Sequence, residues 1–326
     1  MEKSELDECS SYINVCKEEI ANRVVGQTEV INGIITALIA GGHVLLEGVP
    51  GLAKTLAVRT FAEVSSLAFK RLQFTPDLLP ADVTGTLLYE QSSGRFLVRK
   101  GPIFSNIVLA DEINRAPAKV QSALLEAMAE KQVTIGESSY SLPEPFFVLA
   151  TQNPIEQEGT YGLPEAELDR FLLKLLVPYP TPEEEMKIVR TEGNAFSVPV
   201  KKVFSAEGIA KCQKALNFIT VDEKIVRYIV SLISVTRPDS SARHEERSVS
   251  QKKSDILHYI SFGASPRAGI ALLKTAKVHA LLSGRSFVLP EDVQEMAKPV
   301  LRHRLVLNYE AASDSVSADD VIGKTI

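Results

Sequence analysis

The chain predicts an α/β protein: a five-stranded parallel sheet sandwiched by helices, followed by a smaller all-α domain. Two observations lead there. Five apolar runs of strand length alternate with helical patterns through the first half, as in a parallel sheet covered on both faces. At Pro178–Glu183 the character changes, and beyond it the periodicity is helical with strand patterns nearly absent. The spacing predicts domains 1–180 and 181–326.

In order, residues 5–22 read as an amphipathic helix with Leu6, Ile13, Val15 and Ile20 among charges. Val24–Gln27 breaks it, a second helix starts at Thr28, and Gly41-Gly42 ends that helix before the strand Val44–Leu46. A helix from Lys54 is followed by a strand over Ala68–Phe74. Two short alternating runs around Ser92-Ser93-Gly94 give a hairpin within 86–98. Asn106–Glu112 is the next strand and Ala118–Glu130 a strong helix. Gln132–Leu142 forms a second small hairpin, and Phe146–Thr151 and Leu172–Val177 complete the sheet. The second domain predicts helices over 182–192, 205–217, 221–236, 266–283 and 290–301. Residues 237–254 are polar and almost free of apolar residues, which predicts a mobile loop.

The totals exclude several classes. The 326 residues are 45% hydrophobic and 24% charged, ordinary for a globular protein. A net charge of −5 offers no global basic footprint for nucleic acid. Cys9, Cys16 and Cys212 are odd in number and lack CxxC spacing, so neither a disulfide framework nor a zinc site is expected. The acidic start, Met1–Glu8, has no apolar signal core, and no run approaches the roughly 20 apolar residues needed to span a bilayer. A cytoplasmic enzyme is the expectation.

Residues 43–55 carry the chemistry. An apolar strand meets Gly48, Val49, Pro50, Gly51, Leu52 and Ala53, and Lys54-Thr55 open a helix. This is the pattern of a phosphate loop. Small residues let backbone N–H groups converge on phosphates, and the helix N-terminus adds positive dipole. Lys54 would reach the β- and γ-phosphates and the Thr55 hydroxyl would bind Mg²⁺. The general pattern has Gly where Ala53 stands; a methyl fits there if the residue takes helical φ/ψ.

A strand ending in Asp111-Glu112 supplies the second half of a nucleotide-hydrolysis site. Asp111 would hold Mg²⁺ directly or through water, and Glu112 would orient and deprotonate the attacking water. Read alone, Asp111 could be a helix cap and Glu112 a solvated carboxylate. Asn153, after the next buried strand, could position the water or touch the γ-phosphate; a loop Asn before Pro154 is the competing reading. Arg170 and Arg267 are candidates for a guanidinium on the γ-phosphate, against surface ion pairing. The five histidines are scattered without metal-ligand spacing.

With those residues assembled, the chain resembles the MoxR-type AAA+ ATPases, P-loop NTPases related to magnesium chelatase subunits. The resemblance spans nearly the whole length. It rests on Val25–Gln27, Gly48–Thr55, Phe74–Pro80 with Thr84–Thr86, Ala110–Pro117, Gln121–Met128, Ala150–Pro154, Leu168–Phe171 and Gly263–Ala268. Ala53 is the residue that family commonly carries. The resemblance implies ATP and Mg²⁺ as cofactors, Lys54 and Thr55 as Walker A, and Asp111 and Glu112 as Walker B. It further implies Asn153 as first sensor, Arg170 as arginine finger toward a neighbouring subunit, and Arg267 as second sensor on a helical lid. Val25 and Gly26 would lie near the adenine, and both hairpins would move with nucleotide state and push on a client. It implies a homo-oligomer, a hexameric ring, and a remodeller that matures a client protein with a von Willebrand factor A partner. The alternative is a nucleic-acid-stimulated motor or loader of the same fold, which the net charge disfavours.

Overall fold

The computed structural model describes residues 2–49, 51–52, 54–154, 159–190, 195, 198–238 and 256–326. The chain divides into two compact units: Ser11–Lys211, and Met1–Ser10 with Cys212–Ile326.

The larger unit is built around a five-stranded parallel sheet. In chain order its elements are α1 (Glu2–Ala21), whose start belongs to the other unit, α2 (Thr28–Ala40), β1 (Val44–Glu47), α3 (Lys54–Val64) and β2 (Phe69–Gln73). They continue with α4 (Pro80–Thr84), β3 (Gly85–Glu90), β4 (Arg95–Lys100), β5 (Ile107–Asp111) and α5 (Ala118–Glu130). Then come β6 (Gln132–Ile135), β7 (Ser138–Ser141), β8 (Phe147–Gln152), α6 (Glu165–Leu168), β9 (Leu173–Leu176) and α7 (Pro182–Arg190). The sheet order is β2-β5-β8-β1-β9. Register pairs Gln73 with Asp111, Ala110 with Ala150, and Glu47 with both Gln152 and Leu176. All residues of β5 are buried, as its unbroken apolar run requires when helices cover both faces.

The core on the α5 side joins Leu45, Val108, Ala110, Val148 and Ala150 of the sheet to Leu124, Leu125 and Met128 of the helix. His43 lies inside this packing. Val148 N–H donates to its Nδ1 at 3.1 Å, so its Nε2–H faces Met128 O at 3.3 Å. Burial holds its pKa down at about 4, leaving the ring neutral. In α1 the buried face runs Leu6, Cys9, Ile13, Cys16 and Ile20, whereas Val15 is exposed. Val15, expected in the apolar set, falls off the 3-4 spacing that the two cysteines fill.

Both expected hairpins form as two-stranded antiparallel ribbons, β3–β4 and β6–β7. The first leaves Leu88, Tyr89, Phe96 and Leu97 exposed, with Tyr89 and Phe96 paired across the strands. The chain beyond β9 stays with this unit through Lys211. Arg23 donates to Val198 O and pairs with Glu63, and Phe204 bridges to Ser65.

The smaller unit is mainly helical: α9 (Glu223–Val235), Pro266–Leu282 and Pro290–Leu301 lie close to the predicted spans, and Ala318–Thr325 is a helix that the sequence reading did not include. The residues of α8 (Ala206–Ala215) belong to the larger unit through Lys211 and to the smaller from Cys212. A short antiparallel ribbon, β10 (Ile260–Phe262) with β11 (Val306–Leu307), is a strand pairing that periodicity did not reveal, because each strand is too short to alternate. The expected mobile loop lies outside the described residues from 239 onward. Among the described residues no helix is long and apolar enough to cross a membrane.

Candidate active site

The glycine-rich loop leaves the carboxyl end of β1, where an open α/β sheet binds its ligand. Gly48 N–H donates to Gln152 O at 3.3 Å and Val177 N–H donates to Glu47 O at 2.8 Å, which fixes the loop's start between β8 and β9. A Cβ on Gly48 would stand 3.0 Å from Val177 Cβ and 3.1 Å from its carbonyl oxygen, so only glycine passes without displacement. Gly51 sits at φ +85° with nothing within 4 Å of where its Cβ would be. α3 then begins at Lys54, whose Nζ donates back to Gly48 O at 2.5 Å and spans the loop. Thr55 is half-buried in the first turn. Pro50 and Ala53 lie outside the described residues. Narrow backbone, a lysine and a helix N-terminus together suit a polyphosphate.

The acids stand on the same rim. β5 ends at Asp111, and Glu112 follows in the left-handed region at φ 57°, ψ 51°. Such a conformation costs a non-glycine residue about 1–2 kcal/mol, so something must hold it. Glu112 N–H donates to Thr151 Oγ1 at 2.8 Å, and the Thr151 hydroxyl donates to Asp111 Oδ1 at 2.6 Å. Arg71 donates to Asp111 Oδ2 from Nε at 3.0 Å and Nη2 at 2.6 Å. Glu112 Oε2 accepts from Gln73 Nε2 at 2.8 Å and from Arg115 Nη1 at 2.9 Å. Arg71 Nη2 also donates to Gln73 Oε1 at 3.0 Å, closing a ring of polar contacts across the ends of β2, β5 and β8. The two acids differ in solvation: the Asp111 side chain is 9% exposed and that of Glu112 32%. A dry carboxylate suits a cation, and a wetter one suits contact with water.

Asn153 is buried immediately after β8. Because β8 lies between β5 and β1, Asn153 falls between the acids and the loop. At about 4.8 Å per strand spacing, the acid-bearing strand stands about 10 Å from the loop-bearing one, a gap that a phosphate chain and a cation can fill. The turn with Val25 and Gly26 reaches this rim too: Gln27 Nε2 donates to Pro178 O at 3.5 Å, one residue past Val177. Gly26 sits at φ +75°, and the Glu184 carboxyl occupies the place its Cβ would take.

Arg170 lies elsewhere on the larger unit. It precedes β9, and Leu172 N–H donates to His43 O just before β1 begins, so Arg170 stands at the opposite rim of the sheet. It is exposed, and its Nη1 donates to Leu125 O of α5 at 3.0 Å. Arg267 belongs to the smaller unit, exposed at the second position of Pro266–Leu282. The turn before it is pinned by Ala264 N–H donating to Thr236 Oγ1 at 3.0 Å, and Gly263 leaves no room for a Cβ against Thr236 O.

Arg71, Gln73, Arg115 and Thr151 were not foreseen. Arg71 and Gln73 sit two apart on β2, but only the register against β5 brings them to Asp111 and Glu112. Thr151 had a legible signal, a hydroxyl at a strand end two residues before Asn153.

A profile of the ATPase family associated with various cellular activities (AAA) matches residues 43–173, and an AAA lid-domain profile matches 254–325. The chain is 46% identical to "Chaperone MoxR1" of Mycobacterium tuberculosis, over 94% of this chain and 79% of that protein. It is 42% identical to YeaC of Bacillus subtilis, over 94% of this chain and 90% of that one. A crystal structure of a candidate ATPase from Cytophaga hutchinsonii superposes with a TM-score of 0.88 at 45% identity, covering 99% of this chain and 95% of the other.

Proposed function

Because this chain belongs to the MoxR family of AAA+ ATPases, we propose that it is a chaperone-type remodeller that couples ATP hydrolysis to maturing or activating a client protein. The observation that carries the reading is the shared rim: the Gly48–Thr55 loop, Asn153 and the Asp111-Glu112 pair stand at successive strand ends of one sheet. Thr55 and Asp111 are oxygen donors of the kind Mg²⁺ takes, and the bound ion would spread the phosphate charge. Lys54 adds a positive charge where the β- and γ-phosphates would lie. Glu112 accepts a proton from the water whose oxygen attacks the γ-phosphorus. The bond to the departing ADP oxygen breaks, leaving ADP and phosphate. Asn153 orients that water or contacts the γ-phosphate.

Arg170 supports catalysis between subunits. About 13 Å of β9 separates its end of the strand from the level of its own loop, so a γ-phosphate it serves belongs to another chain. On this reading the chain works as a homo-oligomer, a hexameric ring, in which assembly and hydrolysis are linked equilibria. Arg267 acts as the second sensor. The exposed aromatic pair on β3–β4 suits contact with a client, and a von Willebrand factor A protein is the expected partner.

Glu112→Gln and Lys54→Ala test the site. The Gln variant keeps an oxygen for Gln73 and Arg115 but cannot take up a proton, so it should bind ATP and turn over about 10²–10⁴-fold more slowly. Lys54→Ala should lose nucleotide binding. Wild-type phosphate release by Glu112→Gln would refute the assigned base.

A further inference from the structure

We infer that Thr151 is a positioning residue for hydrolysis, one hydroxyl that sets both acids at once. The inference rests on the roles of Asp111 and Glu112 given above. Thr151 is 1% exposed, on β8, a different strand from the acids. Its Oγ1 is the acceptor for Glu112 N–H and the donor to Asp111 Oδ1, so the two bonds share one oxygen with opposite polarity. A hydroxyl does both; a methyl does neither.

The first bond ties down the backbone where Glu112 is left-handed. Without it, the residue can relax toward ordinary φ/ψ and carry its carboxyl elsewhere. The second bond orients Asp111, whose other oxygen is engaged by Arg71. Glu112 Oε2 is held separately by Gln73 and Arg115, so its side chain has partners that survive loss of Thr151, while its backbone N–H does not. The effect of losing the hydroxyl therefore enters through the backbone of one acid and the rotamer of the other. It also links both acids to the strand that carries Asn153, which makes β8 the common reference for the hydrolytic groups.

The expected signature is specific. Thr151→Val keeps the side-chain shape and removes the hydroxyl, and Thr151→Ser keeps the hydroxyl. Thr151→Val should lower kcat about 10- to 100-fold, the usual range for losing a group that orients a metal ligand. It should also raise the half-saturating Mg²⁺ concentration several-fold and leave fluorescent-ATP affinity measured in EDTA within about threefold. Thr151→Ser should return kcat and Mg²⁺ dependence to within about threefold of wild type. A purely structural role would lower the active fraction without moving the Mg²⁺ half-saturation. If Thr151→Val does not fold, Thr151→Ala against Thr151→Ser makes the same comparison, and equal rates in that pair overturn the inference. So does a Thr151→Val enzyme with wild-type kcat and Mg²⁺ dependence. Glu112→Gln, measured alongside, separates the two failures: if it is inactive while Thr151→Val is normal, the site assignment stands and the role of Thr151 falls. If Glu112→Gln itself hydrolyses fully, the reading beneath both falls.

Discussion

Acidification should strip stability from the larger unit through His43. The ring is 7% exposed and its pKa is held down at about 4, first by burial and also by the charge of Lys131; its contact with Met128 O acts the other way. In the unfolded chain the imidazole titrates near 6.5. Between these values the unfolded state binds the proton and the folded state does not, so stability rises with pH. The contribution is fully present above about pH 6.5, falls as pH drops below it, and stops changing below about pH 4. From pH 7.5 to pH 5.0 this amounts to about 2 kcal/mol. The ring links Val148 N–H at the start of β8 to Met128 O near the end of α5, so the loss is felt where the sheet and helix join. His43→Gln retains a donor and an acceptor but cannot titrate. Urea unfolding at pH 7.5 and 5.0 should give the wild type a larger drop in stability than the variant, by about 2 kcal/mol. Equal drops, or a larger one in the variant, would refute the argument.

Other outcomes follow from the same geometry. Arg170→Ala should bind ATP normally yet fail to hydrolyse it, and mixing it with Lys54→Ala subunits should restore part of the phosphate release. No recovery would count against action between chains. Arg71→Ala removes a half-exposed cation from Asp111, so half-saturating Mg²⁺ should fall about fivefold, a screened interaction of about 1 kcal/mol. A rise would show that Arg71 aids the ion. Cys9, Cys16 and Cys212 are all buried, and burial pushes the Cys16 thiol up to about 12. A thiol reagent at pH 8 should therefore label the native protein far more slowly than the urea-unfolded chain, which exposes all three. Rapid labelling of Cys16 in the folded protein would contradict its placement.

The elements of this protein were legible because their signals are local. A strand, a glycine-rich turn and Lys54-Thr55 lie within a dozen residues, and Asp111-Glu112 closes a buried run; neighbouring residues alone write those patterns. The helices Glu223–Val235, Pro266–Leu282 and Pro290–Leu301 were readable for the same reason, since an amphipathic period needs no partner to be seen, while the short helices Tyr309–Ser313 and Ala318–Thr325 were not. In α1, by contrast, Val15 is apolar yet exposed, while packing chose Cys9 and Cys16.

What the amino-acid order determined by itself was which residues are candidates for chemistry with a triphosphate. Tertiary structure decided which of them meet. Strand order put β8 between β5 and β1, so Asn153 falls between acid pair and loop, and it put Arg170 at the far rim. Register brought Gln73 opposite Asp111, and Arg71 and Thr151 to its carboxylate, across about forty residues of chain. The physical reason is that a hydrogen bond depends on distance and direction between groups. Those are set by how strands pair, and strand pairing depends on the whole core at once.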